Sequence, residues 1–514
     1  MKSKILRVLH VIAIILSLTA IIAAIYLKIN FSSTNFEEVI FYLRVGVEDA
    51  DSSAFWDGLK ICGPIVLFFA FIFYTLFYDI FNGKKKISTK KGKVLYPIKG
   101  TIKHRKLITW LLFGLGILAL MWSVRLFNFI VYTNFKSTFI EEHYVDPAST
   151  KITFDKKRNL ILIVVESLET TLFTKDQGGY WDYPVTDGLY QLLEDPDAVV
   201  FYNEDNHELT SMLEGASWTT ASVVANSTGV PFKIRINKNQ YHSQNFMNGS
   251  YALGDLLKDN GYHNEVISAA KTSFGGLKEY FTKHGSYDII DSKSLNKYGF
   301  SMKESDKGKW GFNDNYLFDI AKKRLEVISN NEEPFNLELI TIDTHFVDGF
   351  VGNYSETKYD EQYENAYATT SRLIYDFVNY VKEQDYYKDT TIMVIGDHLS
   401  MQNEFFRKRG AKDDDRYVYS VLINPKEIKE EYKNNERIVT ALDTYPTLVY
   451  AIGGSIEGNK LGLGVNLFSS EKTLAEKYGV KKLDKELKKK SVFYNNKILD
   501  DDYLKKYELG KGSN

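Results

Sequence analysis

The sequence predicts an α/β protein: a doubly wound, mostly parallel sheet with helices on both faces, carried behind an N-terminal anchor of three transmembrane helices. Three observations predict it. The 514 residues change character near residue 132, from apolar runs separated by charged loops to a polar stretch rich in Tyr, Lys, Asp and Asn. In the first part, three apolar runs approach the roughly 20 residues that a helix needs to cross a bilayer. In the second, short and continuously apolar β-rich runs alternate with helical patterns, as parallel strands buried on both faces do when helical crossovers join them.

The spans are read at about residues 8–27, 61–77 and 107–126. Lys2, Lys4 and Arg7 would also suit a signal peptide. The apolar core behind them is longer than the usual 7–15 or so residues and no small-x-small cleavage site follows, so the first helix is read as retained. Charge then sets direction. Residues 82–106 hold ten Lys and Arg and no acid, whereas residues 28–60 hold Lys28, Arg44 and Lys60 against Glu37, Glu38, Glu48, Asp49, Asp51 and Asp57. The basic loop and the basic N-terminus belong in the cytoplasm. The chain is thus expected to be a multi-pass protein of the cytoplasmic membrane, with everything after about residue 132 outside. Arg125 falls at the outer end of the third span, where it can reach the headgroups.

Four regions follow: the anchor (1–132), a tether (133–154), an extracytoplasmic catalytic domain (155–468) and a charge-dense C-terminal extension (469–514) expected to pack peripherally. Strands are expected at 159–165, 263–268, 336–342, 390–395 and 417–423, and helices at 254–260, 313–329, 363–384 and 441–452. A net charge of −2 carries no basic footprint for nucleic acid. The single cysteine, Cys62, lies in an apolar run and excludes both a disulfide framework and a Cys-type zinc site.

Polar residues stand directly after three of the buried runs: Glu166 and Ser167 after 159–165, Asp343, Thr344 and His345 after 336–342, Asp397 and His398 after 390–395. In doubly wound sheets, ligands sit beyond the carboxyl ends of the strands. A fourth cluster, residues 217–222, reads as a loop entering a helix of small residues. Each piece has an ordinary structural explanation, such as a cap or a solvated strand end. Their joint occurrence at strand ends points to a site. Glu166, Asp397 and His398 are ligand types suited to Mn²⁺, Mg²⁺ or Zn²⁺. Thr219, at a helix N-terminus with N–H donors for a phosphate, is the candidate nucleophile, because a bound cation can lower the pKa of a threonine hydroxyl.

Five ordered segments, NLILIVVESLETTLF (159–173), GASWTTASVVANSTGVPF (215–232), ITIDTHFVDGF (340–350), MVIGDHLSMQN (393–403) and DTYPTLVYAIGG (443–454), resemble the phosphoglycerol transferases that modify periplasmic glucans, relatives of the lipoteichoic acid synthases within the sulfatase and alkaline phosphatase superfamily. The outer-loop stretch FYLRVGVEDAD (41–51) resembles the membrane part of that family. The resemblance implies an alkaline phosphatase/sulfatase-like fold. It also implies one divalent ion, typically manganese with magnesium or zinc as alternatives, held by Glu166, Thr219, Asp397 and His398. Thr219 is then also the nucleophile, and His345 lines the pocket for the headgroup. Phosphatidylglycerol is the implied donor: Thr219 attacks its phosphorus, diacylglycerol leaves, and an envelope glycan or teichoic-type acceptor takes the phosphoglycerol. Leu277, with Lys278 beside it, stands where relatives tend to carry a basic residue near the headgroup. Thr220 is the neighbouring alternative nucleophile.

A true sulfatase needs Cys or Ser in a C/S-x-P-x-R context, which residues 218–222 lack. Lipoteichoic acid synthesis and phosphoethanolamine transfer are nearer in chemistry. A non-catalytic envelope scaffold would have no reason to keep all four of Glu166, Thr219, Asp397 and His398.

Overall fold

The computed structural model describes residues 2–30, 35–45, 53–78, 87–88, 94–95, 104–203, 208–235, 245–428 and 436–499. Most of the basic loop 82–106, the acidic residues Glu48, Asp49 and Asp51, and residues 500–514 lie outside the described residues. The chain divides into two units, one of residues 1–36 and 51–130, the other of residues 37–50 and 131–514.

In the first unit, helix α1 (Lys2–Asn30) packs on α3 (Ser53–Phe77) and on α4 (Arg105–Ser123). Each contains a segment long and apolar enough to cross a membrane: Ile5–Asn30, Gly58–Phe77 and Arg105–Ser123, of 26, 20 and 19 residues. Ile14 and Leu18 of α1 form a small core with Val66 and Ala70 of α3, against which Ile108 of α4 packs, while Leu67, Phe71, Trp110 and Leu118 face outward, as expected of helices solvated by lipid. The third helix ends three residues before the expected Leu126, because Arg125 adopts φ 54° and breaks the helical path.

The second unit is built on a seven-stranded sheet. Its strands are β1 (Asn159–Val165), β2 (Ala198–Val199), β3 (His263–Ser268), β4 (Asp288–Ile290), β5 (Phe335–Ile340), β6 (Thr390–Gly396) and β7 (Ser420–Ile423), in the order β2-β7-β6-β1-β5-β3-β4. From β6 to β4 all pairs are parallel, and β7 and β2 add an antiparallel edge. The apolar run of β1 explains its central place. Leu160, Leu162 and Val164 point into one hydrophobic cluster, and Ile161, Ile163 and Val165 into another. Helices α5 (Thr219–Thr228), α6 (Leu253–Asp259) and α9 (Thr444–Ala451) contribute to the first cluster, α7 (Asp314–Ile328) and α8 (Gln362–Lys382) to the second. Each face is therefore covered by helices, as a two-sided parallel sheet requires.

Two strand ends differ from expectation for a local reason. β5 ends at Ile340: the Thr341 N–H still donates to the Val164 carbonyl of β1, but those of Ile342 and Asp343 donate to the Asp314 carboxylate at 2.8 and 3.2 Å instead of to a strand. β7 begins only at Ser420, since Val418 pairs with Thr210 and Glu169, off the main sheet. The short edge strands β2 and β4 were too brief to stand out as apolar runs.

Residues 133–154 carry a short helix with Ile140 buried and a strand, Ile152–Phe154, paired with Gly454–Ile456. Near the C-terminus, helix α10 (Val480–Lys488) buries Leu483 and Leu487, exposes Lys481, Lys482 and Lys485, and pairs the partly buried Lys488 with Glu214 and Asp484. Helix α2 (Phe36–Val45) comes from the loop between the first two spans, yet all of it except Phe36 belongs to the second unit. Its Phe41 is fully buried, edge-on to Phe232 at 5.2 Å between ring centroids.

Candidate active site

Register brings the strand ends together. Gly396 pairs with Val165 and Val164 with Ile340, so the residues that follow β6, β1 and β5 emerge side by side at one edge of the sheet. Glu166, Asp397 and His398 are all buried there, with one ligand atom of each within 4.8 Å of the others.

The backbone fixes this cluster. Ser167 takes φ 54°, a left-handed turn directly after β1. This turn lets its N–H donate to Asp397 Oδ1 at 2.7 Å, and the His398 N–H donates to the same oxygen at 2.7 Å. The Ser167 hydroxyl donates to Glu166 Oε1 at 2.6 Å, and the Thr344 hydroxyl from beyond β5 donates to the Glu166 carbonyl at 2.5 Å. Behind His398, the buried Arg416 forks onto Glu169 at 2.7 and 2.5 Å. Glu169 also accepts from the Ser400 N–H at 3.1 Å, and the same guanidinium donates to the Ser400 carbonyl at 2.9 Å. That paired charge holds the loop that carries His398.

These residues fit a cation. His398 Nδ1 lies 3.0 Å from the Leu399 carbonyl, which only accepts, so Nδ1 carries the proton and Nε2 faces the carboxylates. Nε2 is 3.4 Å from Asp397 Oδ2 and 3.6 Å from Glu166 Oε1. Asp397 Oδ2 is buried with no hydrogen-bond partner. A buried carboxylate oxygen left unmatched opposite an imidazole lone pair costs free energy unless positive charge lies between them. Burial, then Glu166, push the Asp397 carboxyl up to about 7. Burial lowers the His398 pKa, but the Asp397 and Glu166 carboxylates outweigh it and raise the pKa overall. Neighbouring negative charge raises both, second to burial at Asp397 and against burial at His398.

Thr219 opens helix α5, after the extended Trp218. Its hydroxyl donates to Glu166 Oε2 at 3.4 Å, facing the cluster. The Thr220 hydroxyl is turned away and donates to the Gly275 carbonyl at 2.6 Å. The two candidate nucleophiles are therefore distinct in this structure, and only Thr219 faces the carboxylates.

His345 is half-buried beside the cluster, ringed by Trp310 and Phe346, each 4.7 Å away between ring centroids. Its Nδ1 lies 2.6 Å from the Phe346 carbonyl. Burial, aided by the nearby His398 and Lys309 charges, lowers its pKa to about 4, so the imidazole is neutral at physiological pH. Lys309 lies over Trp310 at 4.7 Å and brings a cation to this side of the site. Leu277 is buried in the core and contributes no polar group. Sequence reasoning missed Ser167 as a seat for Asp397 and missed the Lys309–Trp310 pair. A tryptophan in the glycine-flanked stretch 308–311 was the available signal for the latter.

The sulfatase family model matches residues 158–454. Phosphoglycerol transferase I from Salmonella choleraesuis is 29% identical over 337 residues, which is 64% of this chain but only 41% of that protein. The chain thus spans less than half the length of this curated relative. Among solved structures, a protein in the alkaline phosphatase superfamily from Vibrio parahaemolyticus is similar with TM-score 0.50 and 22% identity, over 65% of this chain and 76% of that one. The integral membrane protein lipooligosaccharide phosphoethanolamine transferase A from Neisseria meningitidis is similar with TM-score 0.50 and 14% identity, over 86% of this chain and 84% of that one. At these identities the two structures speak for the fold alone. The family match runs over more than half of the chain, from before Glu166 to beyond His398, and the chain belongs to the sulfatase family.

Proposed function

We propose that this membrane protein transfers phosphoglycerol from phosphatidylglycerol to a hydroxyl of a cell-envelope glycan or teichoic-type polymer. The group passes through Thr219, and the catalytic unit works outside the cytoplasmic membrane. The observation that carries this reading is the Thr219 hydroxyl, aimed at Glu166 Oε2 beside the buried Glu166, Asp397 and His398 cluster. Similarity to phosphoglycerol transferase I supports the donor. The ten basic residues and no acids in 82–106 support the orientation.

Glu166, Asp397, His398 and Thr219 would hold one divalent ion, with manganese the first choice. When bound, it supplies positive charge that lowers the pKa of the Thr219 hydroxyl and offsets charge on the phosphoryl oxygens. The chain's own groups do the rest. Thr219 Oγ attacks the phosphorus of phosphatidylglycerol, and its proton departs along the hydrogen bond to Glu166, which passes it to solvent. The bond from phosphorus to the diacylglycerol oxygen breaks, and that oxygen leaves with the electron pair and takes a proton from solvent. The free N–H groups of the first turn of α5 stabilise the phosphoryl oxygens. His345, neutral and set between Trp310 and Phe346, receives the glycerol headgroup. In the second half an acceptor oxygen attacks the same phosphorus, the bond to Thr219 Oγ breaks, and the acceptor's proton restores the threonine hydroxyl.

The test uses the full chain in detergent with Mn²⁺ and phosphatidylglycerol. Release of diacylglycerol, stopped by a chelator and absent with phosphatidylethanolamine, is expected. Diacylglycerol released from phosphatidylethanolamine instead would assign a different headgroup.

A further inference from the structure

Helix α2 lies, in sequence, between the first two membrane-capable helices, yet it packs against the active-site side of the catalytic unit. Phe41 is its anchor, buried against Phe232. Phe41 and Val45 cover Gly276 so closely that a β-carbon there would lie 3.2 and 3.5 Å from their side chains. The Arg44 guanidinium donates to the Arg235 carbonyl. These contacts fix the helix and direct Tyr42 toward the loop at residues 274–276.

Tyr42 lies nearly flat on Phe274, with 5.1 Å between ring centroids and 13° between planes. The next residue, Gly275, accepts the Thr220 hydroxyl, and a β-carbon on Gly275 would sit 3.0 Å from Thr220 Oγ1 and 3.7 Å from Tyr42 Cε1. Gly275 thus neighbours both the Tyr42 ring and Thr220, the residue that follows Thr219 in the first turn of α5. Glu38, one helical turn before Tyr42, is buried on the same side. Burial, then the Glu38, Glu166 and Asp397 carboxylates, hold the Tyr42 phenol protonated and so able to donate.

We propose that α2 forms one wall of the transferase site and that Tyr42 is a donor-binding residue, its hydroxyl positioning an oxygen of the lipid phosphodiester for attack by Thr219. The inference rests on the proposed transferase reading and adds a residue that the catalytic domain's own segments do not supply. It also makes the outer loop between the first two spans part of the enzyme's specificity.

The experiment compares full-length wild type, Tyr42→Ala and Tyr42→Phe in detergent, measuring kcat and KM for phosphatidylglycerol, Mn²⁺ affinity and the thermal midpoint. Tyr42→Ala is expected to raise KM about tenfold or more with Mn²⁺ affinity unchanged. Tyr42→Phe, which keeps the stack on Phe274 and loses the hydroxyl, should fall between the two. If Tyr42→Ala does not fold, Arg44→Ala, which loosens α2 from outside the site, decides by the same rise in KM. A wild-type KM in the folded variant, or loss of Mn²⁺ affinity in step with activity, overturns the proposal. If wild type releases no diacylglycerol, the donor reading fails separately. The same variants are then read with bis(p-nitrophenyl) phosphate, where a raised KM supports the role of Tyr42 and an unchanged KM overturns it.

Discussion

At the scale of single residues, the site is a concentration of negative charge that its own backbone only partly balances. Two N–H groups hold Asp397 Oδ1, while Oδ2 has no hydrogen-bond partner and faces His398 Nε2. Asp397→Asn keeps an oxygen for those N–H groups and removes the charge, so the fold should survive. Mn²⁺ affinity, measured by titration calorimetry, should fall by more than roughly 100-fold, since losing even an outer partner of a ligand costs about 10–100-fold. Unchanged affinity would mean that Asp397 is not a ligand. Glu166, Asp397 and His398 were legible because each follows a buried apolar run, and burial of the strand dictates where the next polar residue emerges. Ser167 was not legible as the seat of Asp397. Its role depends on a positive φ and on the neighbouring strand, neither of which a linear pattern carries.

At the scale of elements, β5 carries an acid in its buried run. Glu338 is 2% exposed and accepts from the Tyr287 hydroxyl at 2.5 Å. Burial lifts its pKa from 4.5 to about 7. The folded state therefore holds this proton more tightly than the unfolded chain does. The associated stability is fully present below about pH 4.5 and is lost as pH rises to about 7, above which a constant penalty remains. Glu338→Gln removes the ionisation and keeps an acceptor for Tyr287. It should stabilise the catalytic unit above pH 7 by up to about 3 kcal/mol, with the gain vanishing below about pH 4.5. Thermal midpoints of both proteins across that range check this, and an equal shift at all pH values would contradict it. Long elements such as α8 and β1 were legible from periodicity and continuous burial. The end of β5 was not, because Asp314, distant in sequence, captures the N–H groups that would have extended it.

At the scale of the whole molecule, composition separates an apolar N-terminal region from a polar remainder, and charge asymmetry gives the proposed orientation. A reporter active only outside the membrane should be active when fused after Phe154 and silent when fused near Ser88. The reverse pattern would place the catalytic unit in the cytoplasm. The assignment of α2 to the catalytic unit was not legible, because ten residues in a loop between two spans carry no periodic signal of a distant partner. Only its likeness to the membrane part of the family hinted that it mattered.

Transfer through Thr219 requires a covalent phosphoglyceryl group on its oxygen, which can be read directly. The full chain is incubated briefly with phosphatidylglycerol and Mn²⁺ without acceptor, quenched, and mapped by peptide mass spectrometry. A phosphoglyceryl adduct is expected on Thr219, lost in Thr219→Ala and retained in Thr220→Ala, because the Thr220 hydroxyl faces Gly275 and not the cluster. An adduct on Thr220, or turnover that persists in Thr219→Ala, would contradict it.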